Sequence, residues 1–433
     1  MVIRHWVAVC VFAGFIPPMT RAAAPERELS LEEVLQLANQ SAPAIVVAGR
    51  RVGVAEADVV GAAPWLPSDP SLEAGGGGRV GGGQDGADVS VGVSQTFEIF
   101  GEAGLRRDVA ARGVDAVRID VAQARFTVHQ AVHRAFHAAL VADGEVKAAE
   151  DAVAFATRLV EVAEARVKAG EASSLTVRLA QTSLARAKEQ ALIALEVQAS
   201  ARLALGREAG LPDATPVRPR GTLATLAALP ATEVLLELAL QHQPSLAALR
   251  AQLDVAKSRA ALAEREALPK PTVGLGYSAE GIAPSSTQTQ QIVGATVSLP
   301  LPFFRSNDAE RARASAQQRV AEAELAGEQM LLAGHIAEAR TRAEAAKARV
   351  LLFTGEILPG TDDTLAQLQM AFGLGELDLT EVMVGREQVL AARRDALLAW
   401  RAWFNALAEL EAEVGAELPN AETSPDSTPR GTP

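Results

Sequence analysis

Residues 28–45 read ELSLEEVLQLANQSAPAI, and residues 228–246 read ALPATEVLLELALQHQPSL. The second stretch repeats the first: Glu32, Leu37, Ala38, Gln40 and Pro43 fall in register with Glu233, Leu238, Ala239, Gln241 and Pro244. The correspondence continues in order. WLPSDPSLEAG at 65–75 returns as ALPKPTVGLG at 267–276, VGVSQTFEIF at 91–100 as VGATVSLPLPFF at 293–304, and AGEASSLTV at 169–177 as LGELDLTEV at 374–382. Self-similarity on this scale marks one architectural unit used twice. Each unit reads as helix, β-hairpin, very long helix and return helix. The first copy occupies 25–227 and the second 228–418.

Leu29 to about Ala63 carries apolar residues at three- and four-residue spacing, and Ser30 with Glu33 forms a capping box. Pro64 and Pro67 end that helix. A hairpin follows over 70–97. In it Val89, Val91 and Val93 share one face, and Ser90, Gly92 and Ser94 the other. The glycine run EAGGGGRVGGGQDGAD is expected to be the loop joining its strands. The second hairpin, 271–299, alternates in the same way: Val273, Leu275 and Tyr277, then Val293, Ala295, Val297 and Leu299. A period of two, apolar against small and polar, suits a barrel strand with lipid outside and water inside. Trp65, Phe97, Phe100, Phe303 and Phe304 cluster at the strand ends, a placement that fits either an interfacial aromatic girdle or simple apolar plugs between layers. Four strands cannot close a membrane barrel, and an open sheet edge is not tolerated in lipid. A membranous sheet therefore forces the chain to oligomerise.

Long helices follow each hairpin. Residues 104–168 contain no proline, and at about 1.5 Å per residue they extend about 100 Å. The counterpart, 308–372, is weakened around Gly355, Pro359 and Gly360. Return helices are expected at 174–205 and 380–413. Alanine at inward positions permits close approach of the paired helices. The proline-rich stretch 206–230 reads as the linker between copies, and 419–433 as a disordered tail.

Composition limits the functional classes. Fifty-three acidic residues against 41 Lys and Arg give a net charge of −12, which disfavours nonspecific nucleic-acid binding. No phosphate loop, zinc-finger spacing or nucleophile elbow is present, so no enzyme chemistry and no cofactor are expected. Residues 1–24 read as a secretory signal: Arg4, the apolar run VAVCVFAGFI, and Ala22–Ala24 as small cleavage-site residues. The single cysteine, Cys10, falls within it, so the exported chain is expected to hold no disulfide.

These motifs, in this order and twice over, resemble the TolC-like outer-membrane efflux proteins. The resemblance spans about residues 29–418, including ILPGTDDTLAQLQMAFGLGELDLTEV. It implies a mainly α fold with a β-barrel: a homotrimeric, twelve-stranded outer-membrane barrel, four strands per chain, above a periplasmic α-helical tunnel. It also implies partners, namely a periplasmic adaptor (membrane fusion) protein, an inner-membrane RND-type pump and outer-membrane lipid, in a Gram-negative bacterium. The segments VHRAFHAALVADGEVKAAED and ILPGTDD are most similar to outer-membrane components of heavy-metal (cobalt–zinc–cadmium type) efflux. Multidrug efflux and type I protein secretion share much of that pattern. A periplasmic helical-hairpin adaptor is the competing class, but it would contain one hairpin and not two copies with lipid-suited strands.

Two groups of residues merit attention. By resemblance, Glu381 and Asp378 at the GELDLTEV turn occupy the position of an acidic ring that constricts the closed tunnel; copy one has Thr176 in place of Glu381. The plainer alternative is that Asp378 caps the return helix and Glu381 is a first-turn acid favoured by the helix dipole. His129, His133 and His137 lie at i, i+4 and i+8 on one helical face. Two imidazoles so spaced are a workable zinc or copper pair, with a carboxylate required from another helix. The expected role is nevertheless an ordinary polar row facing solvent or a neighbouring helix, and no metal ligand is assigned.

Overall fold

A computed structural model describes residues 27–80, 86–212, 215–223, 226, 229–282, 289–302 and 307–418. The signal-like segment, the tail from 419, and Phe303 and Phe304 lie outside these residues.

Copy one opens with the short strand β1 (Arg27–Leu29) and helix α1 (Leu31–Ser41). The capping box forms as the spacing requires: Glu33 N–H donates to Ser30 Oγ, and Ser30 N–H donates to the Glu33 carboxylate at 2.7 Å. Helix α2 (Pro43–Ala62) is separate from α1. Ala42 is extended (φ −60°, ψ 125°), because a residue before proline is driven out of the α region. The single helix expected over 29–63 is thus two, and the same break recurs at Gln243 before Pro244.

The hairpin pairs β2 (Ser71–Arg79) with β3 (Gly86–Thr96). The glycines at 75–78 lie within β2 and are not the connecting loop, which corrects the reading above. A backbone ladder needs no side chains, and a Cβ on Gly75 would come within 2.8 Å of Ser90 Oγ. Glycine here fits a close approach to a neighbouring strand and shows no periodicity by which to recognise it.

Helix α3 (Glu102–Lys168) runs for 67 residues without interruption, and α4 (Ser174–Glu208) returns along it. Strand β4 (Val217–Pro219) then pairs in parallel with β1, tying the linker to the start of the chain. Three-residue strands carry no pattern that a sequence reading could catch. Copy two follows the same order: α5 (Thr232–His242), α6 (Pro244–Glu266), β5 (Thr272–Ile282), β6 (Gln290–Ser298) and α7 (Asp308–Leu352). A π-helical turn at Phe353–Ile357 precedes α8 (Thr361–Leu374), and α9 (Leu379–Val414) returns.

Close helix contact rests on alanine. Ala139, Ala142, Ala156, Ala163, Ala180, Ala343 and Ala399 have no exposed surface. The core divides into three clusters: Val34, Phe136 and Leu205, where α1 and the end of α4 meet the middle of α3; Leu235, Ile336 and Trp403, where α5, α7 and α9 meet in copy two; and Phe155, Phe372 and Val382 at the far tip. Two glycines in the left-handed region close the ends of the return helices. A Cβ on Gly210 would come within 2.6 Å of the Ser41 backbone, and one on Gly415 within 2.4 Å of the Gln243 backbone. Each return helix therefore ends against the proline break of its own copy.

Candidate functional site

The two hairpins form one antiparallel sheet in the order β2-β3-β5-β6. Their strands are 9 to 11 residues long, the length that crosses a bilayer when tilted. Leu72, Val93, Leu275 and Ala295 lie side by side across all four strands, and Ala74, Val91, Tyr277 and Val293 form the next row. This face is exposed: Leu72 is 72% accessible and Val293 82%. The opposite face is small and polar. There Ser71 and Ser94 hydroxyls meet at 2.7 Å, and Thr96 and Thr272 at 2.8 Å. Strands β2 and β6 lie at the edges of this sheet. An apolar face of this extent, with open edges, has no stable resting place in water. No helix among the described residues is long and apolar enough to cross a membrane.

At the base of the sheet, Glu98 is sealed from solvent between Arg106 (3.0 Å) and Lys270 (2.8 Å). Burial raises its pKa, but the two cations outweigh that and hold the carboxyl below its ordinary value. Trp65 and Phe97 pack nearby with ring centroids 6.4 Å apart. One carboxylate thus joins β3, the start of α3 and the entry to β5, where sheet meets helices.

The far tip holds Asp378 and Glu381. They form a capping box: Glu381 N–H donates to Asp378 Oδ1 at 2.8 Å, and Asp378 N–H donates to Glu381 Oε2 at 2.9 Å. Both side chains are committed to starting α9. Their counterparts Ser173 and Thr176 make only a hydroxyl contact at 3.4 Å, and Ser173 gives no side-chain cap. Arg166, which sequence reasoning missed, reaches across from copy one. Its Nη1 donates to the Phe372 carbonyl at 3.1 Å, and its guanidinium lies 5.2 Å from the Phe372 ring centre. A cation there also complements the C-terminal dipole of α8.

The histidine row lies on the seam between copies. His137 is buried and stacks on Phe404 of α9, with ring centroids 3.8 Å apart. Its Nδ1–H donates to the His133 carbonyl at 2.9 Å. Burial, then the neighbouring His133, pushes its pKa down to about 4, so it is neutral at pH 7. His129 and His133 differ. Their rings are 4.5 Å apart, and both Nε2 atoms face Glu417, just beyond α9. Glu417 Oε1 contacts His129 Nε2 and lies 3.3 Å from His133 Nε2. These contacts, His129 first, hold the Glu417 carboxyl well below the usual carboxylate range. The carboxylate facing the pair is Glu417, which comes not from another helix, as expected, but from the segment after α9, and nothing in its local sequence announced it. Glu417 is pinned on both sides, by Gly415 before it and by buried Leu418 after it, whose N–H donates to Glu411 Oε1 at 3.0 Å.

Comparison with known proteins agrees with this geometry. The profile of the outer membrane efflux protein family matches residues 34–211 and 235–416. The chain is 26% identical over 297 residues to the cobalt-zinc-cadmium resistance protein CzcC of Cupriavidus metallidurans, covering 69% of this chain and 70% of that protein. It is 28% identical over 306 residues to the nickel-cobalt-cadmium resistance protein NccC of Alcaligenes xylosoxydans xylosoxydans, covering 70% and 66%. It is also 28% identical over 327 residues to the pyoverdine export outer membrane protein OpmQ of Pseudomonas putida, again covering 70% and 66%. In fold it matches the outer membrane protein VceC of Vibrio cholerae, with a TM-score of 0.70 at 19% identity over 89% of this chain and 96% of that one.

Proposed function

We propose that this chain, which belongs to the outer membrane efflux protein family, is the outer-membrane channel of a tripartite efflux system. Three copies close a twelve-stranded barrel, four strands from each, and their helical hairpins form a tunnel through the periplasm. Substrate arrives from an inner-membrane pump of the RND type through a periplasmic adaptor. The channel performs no chemistry, and the pump supplies the energy.

The observation that carries this reading is the four-stranded sheet with an apolar outer face and two open edges, mounted on long helices of which α3 alone extends about 100 Å. Lipid satisfies the face, and only copies of the same sheet satisfy the edges. Planar-bilayer conductance, paired with oligomeric mass in detergent, tests it. A trimer with a discrete ion-conducting pore is expected, and a monomer without pore activity would overturn it.

The cargo in this proposal is heavy-metal cations, supported by the similarity to CzcC and NccC. The similarity to OpmQ favours a second reading, export of a small organic solute. Deletion of the gene followed by challenge with cobalt, zinc and cadmium separates them, since sensitivity to the metals is expected only under the first.

Glu381 completes the proposal as the constriction at the periplasmic tip. Around a three-fold axis, three Glu381 carboxylates would face one another, attract cations and raise the barrier to anions. What supports this is the place of Glu381 in the first turn of α9 at the tip; its capping bond to the Asp378 N–H is the competing use of the same carboxylate. Glu381→Ala channels should lose cation preference; unchanged conductance and selectivity would sink the gate.

A further inference from the structure

His129, His133 and Glu417 present three metal-binding atoms within 4.8 Å of one another. We propose that they form a divalent transition-metal site that latches the segment after α9 onto α3. It joins the two copies of the repeat and does not depend on what the channel carries.

Donor chemistry supports the assignment. Two imidazoles and one carboxylate suit zinc, copper, nickel or cobalt ions, and disfavour magnesium and calcium, which prefer all-oxygen sets. An ion with bonds of about 2.0–2.1 Å in tetrahedral geometry holds its donors about 3.3 Å apart. His133 Nε2 and Glu417 Oε1 already stand at 3.3 Å. The remaining adjustment lies within side-chain rotation, because both histidines project from successive turns of one rigid helix.

Accessibility and satisfaction point the same way. The two Nε2 atoms are shielded from water and have no hydrogen-bond partner of normal geometry among the described residues. What faces them is a single carboxylate oxygen. Glu417 itself is half exposed, which leaves an entry path for an ion and room for a water as fourth ligand.

The supporting structure is built. Gly415 turns the chain beneath the Gln243 backbone, Leu418 enters the core, and buried Glu411 holds the Leu418 N–H. Glu417 stands between these anchors, so its carboxylate is delivered to α3 at little conformational cost. His137 is not part of the set, since its ring is stacked on Phe404.

Zinc titration of the purified full-length oligomer by isothermal calorimetry, after chelator treatment, tests the proposal. One ion per chain is expected. His129→Asn, His133→Asn and Glu417→Gln should each weaken binding by about tenfold or more, since even outer-shell changes cost that much. His335→Gln, outside the set, should leave it unchanged. Glu417→Gln alters a half-exposed side chain and keeps the test open if a histidine variant fails to fold. X-ray absorption of the zinc-loaded protein should show a nitrogen and oxygen shell with imidazole scattering. Absence of stoichiometric zinc binding, or binding undiminished in Glu417→Gln and the histidine variants, would overturn the site and leave a simple histidine–glutamate contact. Neither result bears on pore formation, which conductance reports separately.

Discussion

The two copies differ most along their longest helices. In copy one, α3 runs unbroken for 67 residues. In copy two, the equivalent path is α7, a π-helical turn at Phe353–Ile357, and then α8. Pro359 and Gly360 account for the interruption, because proline cannot continue the ladder and Gly360 is in the left-handed region (φ 83°). The same architecture has therefore been built once as a rigid strut and once as a jointed one. The joint leaves α8 and the start of α9 as a short hairpin, seated on copy one through Phe155, Phe372 and Val382 and clasped by Arg166. In the proposed channel, opening at the tip would fall to the jointed copy, with the unbroken α3 as the fixed element.

The largest effect should come from imposing the joint on the strut. Counted back from the glycine turns at Gly170 and Gly375, Ala154 is the copy-one position equivalent to Pro359. Ala154 is exposed, so no core contact is lost, yet Ala154→Pro should cost about 3 kcal/mol or more by removing a ladder bond and clashing with the preceding turn. Thermal unfolding of the variant measures this.

Acid should distinguish the seams next. Because the His137 pKa is lowered to about 4 when folded, the unfolded chain binds the extra proton between its ordinary 6.5 and 4. Stability should thus be complete above pH 6.5 and fall as pH drops toward 4, by about 3 kcal/mol at most. His137→Phe should flatten that slope.

Arg166→Ala should release the jointed hairpin. It removes a charge-assisted hydrogen bond and a cation over an aromatic ring, together about 2 kcal/mol. Hydrogen exchange should quicken across 361–374 and remain slow in α3. The smallest effect sharpens the comparison between tips: Asp378→Ala should cost about 1 kcal/mol as a lost cap, and Ser173→Ala only a few tenths, because Ser173 caps nothing with its side chain.

Much of this was legible from residues alone. The Ser30–Glu33 box, the alternating strands and the proline-free helix each announce themselves through local spacing, and so did the weakness near Pro359. Glycines 75–78 were misread because a side-chain period cannot appear where there are no side chains. The break at Ala42 was overlooked although Pro43 encodes it. Strands β1 and β4 are too short to show a pattern. Glu417 and Arg166 act on groups far away in the chain, and only folding brings them together. At the tip the sequence showed an acidic pair and offered Asp378 as the cap of the return helix, which the structure bears out; that Glu381 in turn accepts from the Asp378 N–H is a matter of geometry.

Single-channel conductance of the purified protein in planar bilayers, with its mass in detergent determined on the same preparation, tests the central claim most directly. A trimer that opens a discrete, cation-preferring pore is the predicted result. A monomer that stays in solution and conducts nothing would contradict the account, since the exposed apolar face of the sheet would then need another partner.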